Sequence, residues 1–442
     1  MRHPAFLIFS LAIAAGCSSS STTSSPAPAT TTEAALVARA RGIHDRAFTI
    51  DTHKDIPDNF ATPAADPKTM NAQVNLDKMK LGGYDMAFFA VYVGQGARTD
   101  SGNAYAKDRA LNKFAAIHRM AEQMYPGLIE IAYTPEDAVR INKSGKLVAG
   151  IGIENGWVIG KDLTLIKRYY DLGARYMTLA HTSNNDICDS STDPAGPQWN
   201  GLSPFGKQVV AEMNRVGMMV DISHVSKQCM MQATALSTSP VIASHSSTTE
   251  FAPVPRNMDD EMLRALAKNG GVAQMVAFSG YVKVQPARDS AVRVLNEEFF
   301  GPAPQRGAGG GRGGAPGAAG GGRGGAGGGG GRANRASLPP DKLPEYDRRM
   351  AAIEARWPTA NVKDFVNHID HAVKVAGIDH IGISSDFDGG GGVEGWRGAD
   401  ETFNVTLELV RRGYTEAQIR KLWSENTLRV MGENQKRAKT KA

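Results

Sequence analysis

The stretch Ile50-Asp51-Thr52-His53-Lys54-Asp55 decides how the rest of the chain reads. Side chains alternate across a strand, so His53 and Asp55 point one way and Lys54 the other. An imidazole and a carboxylate two residues apart can then grip one ion. Phe48 and Ile50 precede the pair and Pro57 follows it, which places it where a strand leaves a core for a loop. Alone, a His-x-Asp pair is an ordinary hydrogen-bonded surface feature. Its weight comes from what recurs downstream.

Working outward, eight apolar strand-like runs cover residues 48–55, 86–93, 147–154, 174–181, 218–224, 240–245, 271–278 and 380–386. Helical patterns at 107–124, 163–172, 204–216 and 259–268 alternate with them, and Thr134-Pro135 opens another helix as N-cap and first turn. After Leu338, further helices are predicted at 344–356, 362–376, 399–412 and 415–431. Eight strand-helix units predict an α/β fold, a closed (β/α)8 TIM barrel over residues 36–434, with its site at the C-terminal strand ends. The polar residues fall there. His53 and Asp55 end the first run, Glu154 the third, His181 the fourth, His224 the fifth, His245 the sixth and Asp386 the eighth. An open doubly wound sheet would offer one crevice rather than this ring.

The ends and one insert stand apart. Residues 1–16 carry Arg2, His3 and an apolar run from 5 to 15, shorter than the ~20 residues of a membrane span, and read as an export signal. Cys17 follows, resembling the lipidated cysteine of a bacterial lipoprotein, residues 17–35 read as a Ser/Thr/Pro/Ala tether, and 33–47 reads as a short helix leading into the first strand. The alternative is cleavage after Ala14 and a soluble secreted protein. Either way the expected location is extracytoplasmic, on the membrane facing the periplasm if Cys17 is lipidated. Residues 301–336 are Gly-, Ala- and Arg-rich and contain Arg306, Arg312, Arg323, Arg332 and Arg335 but no acidic residue. These five arginines equal the formal net charge of +5, so the remainder is neutral. No aromatics are interleaved to stack on bases, and no nucleic acid is expected as a partner; a solvated insert is. A basic tail, 435–442, is expected to fray. Whether Cys188 and Cys229 pair is left open by the sequence.

Five ligand-type residues at four strand ends suit two divalent metals, since zinc takes imidazole nitrogen and carboxylate oxygen and a carboxylate can bridge. His53 and Asp55 would hold one metal, His224 and His245 the other, and Glu154 would join them. By alternation Asp386 and Asp388 share a face, and either could serve as a proton-transfer group.

The pieces Asp51-Thr-His-Lys-Asp55, Gly152-Ile-Glu-Asn-Gly156, Arg175-Tyr-Met-Thr-Leu-Ala-His181, Asp221-Ile-Ser-His-Val-Ser226, Ser244-His-Ser246, Arg256-Asn257 and Gly382-Ile-Ser-Ser-Asp-Phe-Asp-Gly389 together resemble the membrane dipeptidase (renal dipeptidase) family, the M19 metallopeptidases. The resemblance implies a barrel of the metal-dependent hydrolase (amidohydrolase-like) type with two Zn2+ per subunit, bridged by Glu154 and a water or hydroxide that attacks the peptide carbonyl. It selects Asp386 as proton shuttle, assigns His181 to the substrate and the oxyanion, and gives Arg256 the substrate's C-terminal carboxylate. Tyr92 and Tyr281 are read as pocket walls and residues 193–196 as part of a lid. The implied substrates are dipeptides, including those with a C-terminal D-residue, and the implied assembly is a homodimer. Ser183 stands where mammalian members have a disulfide cysteine, so their bridges do not carry over. The competing readings are an N-acyl-D-amino-acid or β-lactam amidohydrolase and a non-catalytic peptide-binding lipoprotein.

Overall fold

The structure, a computed structural model, describes residues 32–301, 335 and 337–439. Cys17 and the export segment lie outside the described residues, as does nearly all of the Gly/Arg insert. Nine strands are described: β1 Ile50–Lys54, β2 Met86–Tyr92, β3 Ile129–Ile131, β4 Leu147–Glu154, β5 Ala174–Thr178, β6 Met219–Asp221, β7 Ile242–Ser246, β8 Val272–Val276 and β9 Ile381–Ser384. All pairings are parallel in the order β1-β2-β4-β5-β6-β7-β8-β9, and the ring shuts where Asp55 N–H donates to Phe387 O at 2.9 Å. This is the (β/α)8 barrel. β3 is an addition to the eight expected runs; it pairs with the first three residues of β4, below the point where β5 joins at Ile151.

Alternation along β4 shows how the sequence fills the barrel. Ile151 and Ile153 pack outward among the helices, while Val148 joins an inner cluster with Ile50, Phe88 and Tyr176. Gly150 and Gly152 also face inward. A methyl group on Gly150 would collide with Met86 and Phe88, and one on Gly152 with the Tyr176 ring. Small residues opposite large ones are how a closed barrel fills its interior without voids.

The helices follow their start signals. Pro135–Lys143 begins with Pro at its first turn and a capping box between Thr134 and Asp137, and Pro204–Val216 and Val362–Ala376 match their expected bounds. Two boundaries differ. Thr32 caps the expected first helix over Glu33–His44, whose first turn overlaps the end of the stretch read as tether and which stops three residues short of 47, and the tail read as frayed continues the helix Asn426–Lys439. Buried Asn434 donates to Pro240 O and Gln435 to Tyr133 O, which anchors the tail's first turn to the barrel floor. Between β8 and β9, the helices Pro286–Phe300 and Leu343–Arg356 enclose a small cluster of Leu295, Leu338 and Tyr346. Arg335 of the insert pairs with Asp347 there. Among the described residues, no helix is long and apolar enough to cross a membrane.

Candidate active site

The C-terminal mouth of the barrel gathers the expected residues. His53 and His245 lie within β1 and β7, Glu154 ends β4, and Asp55 follows β1 by one residue. His181, His224 and Asp386 lie beyond their strands, which end at Thr178, Asp221 and Ser384, so the expected runs were drawn too long. The chain has turned by then: His224 and Asp386 hold φ of 67° and 57°. Non-glycine residues in the left-handed region are uncommon and cluster at functional sites.

Glu154 is the centre. Its Oε2 lies 3.5 Å from His53 Nε2. Its Oε1 lies 3.0 Å from His224 Nε2, 3.5 Å from His245 Nε2 and 3.3 Å from His181 Nε2. One carboxylate thus addresses two ligand sets, one oxygen each. On the first side His53 Nε2 is 3.9 Å from Asp55 Oδ2 and also 3.9 Å from Asp386 Oδ1. On the second, the Nε2 atoms of His224 and His245 stand 2.7 Å apart.

The far ring nitrogens fix which atoms face the centre. The Tyr176 hydroxyl donates to Thr52 O at 2.9 Å and therefore accepts from His53 Nδ1 at 2.9 Å. The Ser244 hydroxyl donates to Asp221 Oδ2 at 2.6 Å and therefore accepts from His245 Nδ1 at 2.8 Å. Both Nε2 atoms are left with lone pairs aimed inward, and His53 Nε2, fully buried, has no hydrogen-bond partner. Such outer bonds orient the imidazoles of metal sites. Buried orphan nitrogens, two facing lone pairs and a carboxylate split between them fit a pair of divalent cations. The groupings His53–Asp55–Glu154 and Glu154–His181–His224 each bring their donor atoms within 4.8 Å of one another.

Without a cation, protons hold these charges together. Burial disfavours a charged His53, but the carboxylates of Glu154, Asp55 and Asp386 outweigh it and push the imidazole up to about 10. Burial, then Glu154, raises Asp55 to about 6. Burial raises Asp386 well above the usual carboxylate range, with Asp55 and Glu154 adding to it. Burial also opposes charge on Glu154, yet the surrounding imidazoles hold it well below its ordinary value. Burial lowers His181, His224 and His245.

The other expected residues sort as follows. Arg256, buried beside the second ligand set, donates to His245 O at 2.8 Å and Ser246 Oγ at 3.1 Å, and its Nε is unpartnered. Tyr92 packs against His181, its hydroxyl 3.5 Å from Nδ1. Tyr281 stacks on Phe278 with Arg256 5.5 Å from its ring. Asp388 does not share the site with Asp386. Its φ of 63° turns the carboxylate away, to Lys54 Nζ at 3.0 Å. Cys188 and Cys229 are buried, free thiols in mutual contact. The segment 193–196 is a loop in which Asp193 accepts from Asn184 N–H and Ala195 N–H.

Sequence reasoning assigned no role to Tyr176, Asp51 or Asp221. Asp51 accepts from Tyr84, Ser384 and the Ser385 N–H, tying β1 to β9; Asp221 ties β6 to Thr178 and Ser244. An acid shortly before two of the three candidate ligand histidines, Asp51 before His53 and Asp221 before His224, was the available signal.

Comparison with known proteins shows the family to which a chain with this fold belongs. The chain is 28% identical over 371 residues to the dipeptidase tcpJ of Claviceps purpurea, covering 83% of this chain and 70% of that one. Its structure resembles that of the probable dipeptidase PvdM from Pseudomonas aeruginosa, with a TM-score of 0.74, 30% identity, and coverage of 91% of this chain and 99% of that one. The fold is shared with a metallo peptidase from Rhodobacter sphaeroides liganded with a phosphinate mimic of L-Ala-D-Ala, at a TM-score of 0.63, 18% identity and coverage of 87% and 99%. The model of the membrane dipeptidase family, peptidase family M19, matches residues 37–442. The chain therefore belongs to that family and is an enzyme of the metallo-dipeptidase class.

Proposed function

We propose that this chain is a two-zinc dipeptidase, working outside the cytoplasm, that cleaves dipeptides bearing a free C-terminal carboxylate. A C-terminal D-residue is included, the kind of ligand mimicked in the Rhodobacter sphaeroides peptidase. The observation that carries the proposal is the division of Glu154 between His53 on one oxygen and His224 with His245 on the other. The chemistry that cations supply in such a site is activation of water, to a pKa of ~7, and polarisation of the amide carbonyl. Anchoring through Cys17 and formation of a homodimer belong to the proposal on resemblance alone.

The chain's own groups do the rest. Asp386, poised beside His53, takes the proton from the attacking water and gives it to the leaving amine. His181 presents Nε2 to the same centre and donates a hydrogen bond to the carbonyl oxygen as it gains charge. Arg256 supplies a planar cation for the substrate carboxylate, and Tyr92 walls the pocket next to His181.

Hydrolysis of L,L- and L,D-dipeptides and of an N-acyl-D-amino acid by the zinc-loaded protein tests this. Metal-dependent dipeptide cleavage is expected, falling by about 10²-fold or more in Asp386→Asn. Turnover confined to the N-acyl substrate would move the assignment to an amidohydrolase. No turnover with two metals bound would leave a binding protein.

A further inference from the structure

Lys54 lies between two ligand residues but cannot join them, because alternation sends it to the opposite face. That face is buried. The side chain is about 1% exposed, with its Nζ 5.6 and 5.4 Å from the centroids of Phe60 and Phe89. A lysine cation so enclosed needs a partner, since leaving a buried charge unpaired is strongly destabilising. The partner is Asp388 Oδ2 at 3.0 Å, two residues after Asp386. The Asp388 carboxylate also accepts from Gln73 N–H at 2.8 Å, and Asp388 N–H donates back to Gln73 Oε1 at 2.9 Å.

The pair therefore spans the seam of the barrel. β1 and the chain leaving β9 meet through the Asp55–Phe387 backbone bond, the Asp51 contacts and this ion pair. On the near side of the seam stand His53 and Asp55. On the far side stands Asp386, in a left-handed turn followed by a second left-handed residue, Asp388 itself. Consecutive peptide units restrict one another, so clamping Asp388 restricts how Asp386 is presented.

We propose that Lys54 and Asp388 are positioning residues: the ion pair that the buried lysine makes with Asp388 sets the placement of Asp386 relative to His53 and Asp55 and holds the turn 386–391 in its left-handed form. This rests on the reading of Asp386 as the proton-transfer group.

The test uses the full-length protein as Lys54→Met, Asp388→Asn and the double variant. Three quantities are read: amide exchange at Gly389 and Gly391, whose N–H groups donate to Asp386 O; cobalt(II) affinity by chelator competition; and kcat and KM for a dipeptide. The expected result is at least tenfold faster exchange in both single variants, at least tenfold weaker cobalt binding, and a tenfold or greater loss in kcat with KM within threefold. A purely structural role would lower the melting temperature and leave exchange at these glycines, cobalt affinity and kcat at their wild-type values below the transition. That outcome overturns the proposal. Should Lys54→Met fail to fold, Asp388→Asn decides, since its amide oxygen still accepts from Gln73 N–H. Exchange and cobalt affinity need no turnover. An inactive wild type would therefore sink the dipeptidase reading, while these two readouts still judge the pair.

Discussion

A single hydroxyl orients His53 in the proposed metal site. Tyr176 reaches across the barrel floor because Gly152, its register partner, has no side chain to block the ring. Its Oη, committed as donor to Thr52 O, can only accept from His53 Nδ1, which makes Nε2 the nitrogen that gives up its proton and offers a lone pair to a cation. Tyr176→Phe removes that acceptor and lets the imidazole change tautomer or tilt. Loss of such an outer-shell partner typically costs 10–100-fold in metal affinity. The variant is expected to keep its fold, since the ring still fills the space beside Phe88, and to bind zinc about 10–100-fold more weakly in a chelator competition. Affinity equal to wild type would mean that Tyr176 is packing only. That His53, Asp55, Glu154, His224 and His245 would gather at one mouth of the barrel was legible in the sequence, because each lies at the end of an apolar run. Tyr176 was not. Its role depends on register across strands, and register leaves no local mark.

At the scale of the element, the turn after β9 shows why alternation fails at strand ends. As a strand, Ser385 to Asp388 would put Asp386 and Asp388 on one face; the structure gives both a left-handed φ, and they part, one to the site and one to Lys54. Helix starts were legible because capping has a chemical signature, as in Thr134-Pro135 and Ser203-Pro204. A left-handed histidine or aspartate has none. What the turn does require is Gly389. A methyl group there would overlap Asp55 Oδ2 and Asp386 Oδ1, the two carboxylates that flank His53. Gly389→Ala must push one of them aside, and a displacement of about 1 Å at reacting groups can cost ~10²-fold in rate. The expected variant folds, loses metal from the His53–Asp55 position in elemental analysis, and loses about 10²-fold in kcat/KM. Two tightly held metals with wild-type turnover would show that the turn yields without cost.

For the whole molecule, the relevant question is what binds the helical shell to the barrel when pH falls. His368 lies in the helix Val362–Ala376 and is fully buried. Its Nδ1 accepts from Thr248 N–H at 3.1 Å, in the loop after β7, and its Nε2–H donates to Val282 O at 2.9 Å, in the segment after β8. The first contact can exist only with Nδ1 unprotonated. Burial, with His371 adding to it and Asp364 opposing, lowers the imidazole from 6.5 to about 4, while Phe251 covers its edge. The unfolded chain therefore binds a proton that the folded chain refuses between pH 6.5 and 4. The stability this group contributes is complete above about 6.5 and is lost as pH falls through that window, by ~3 kcal/mol in all. In the metal-free protein Asp85 and Asp55, both raised by burial to about 6, work in the opposite sense over part of the range and the buried His181, His224 and His245 work in the same sense, so the slope of the wild type alone would mix them all. A difference isolates His368. Denaturant unfolding of the metal-free wild type and of His368→Gln, whose amide can still bridge the two loops, should give a stability gap in favour of the wild type that shrinks by ~3 kcal/mol from pH 7 to pH 4. A gap that stays constant over that range would mean that His368 exchanges its proton without unfolding, and that the contact with Thr248 does not depend on its charge.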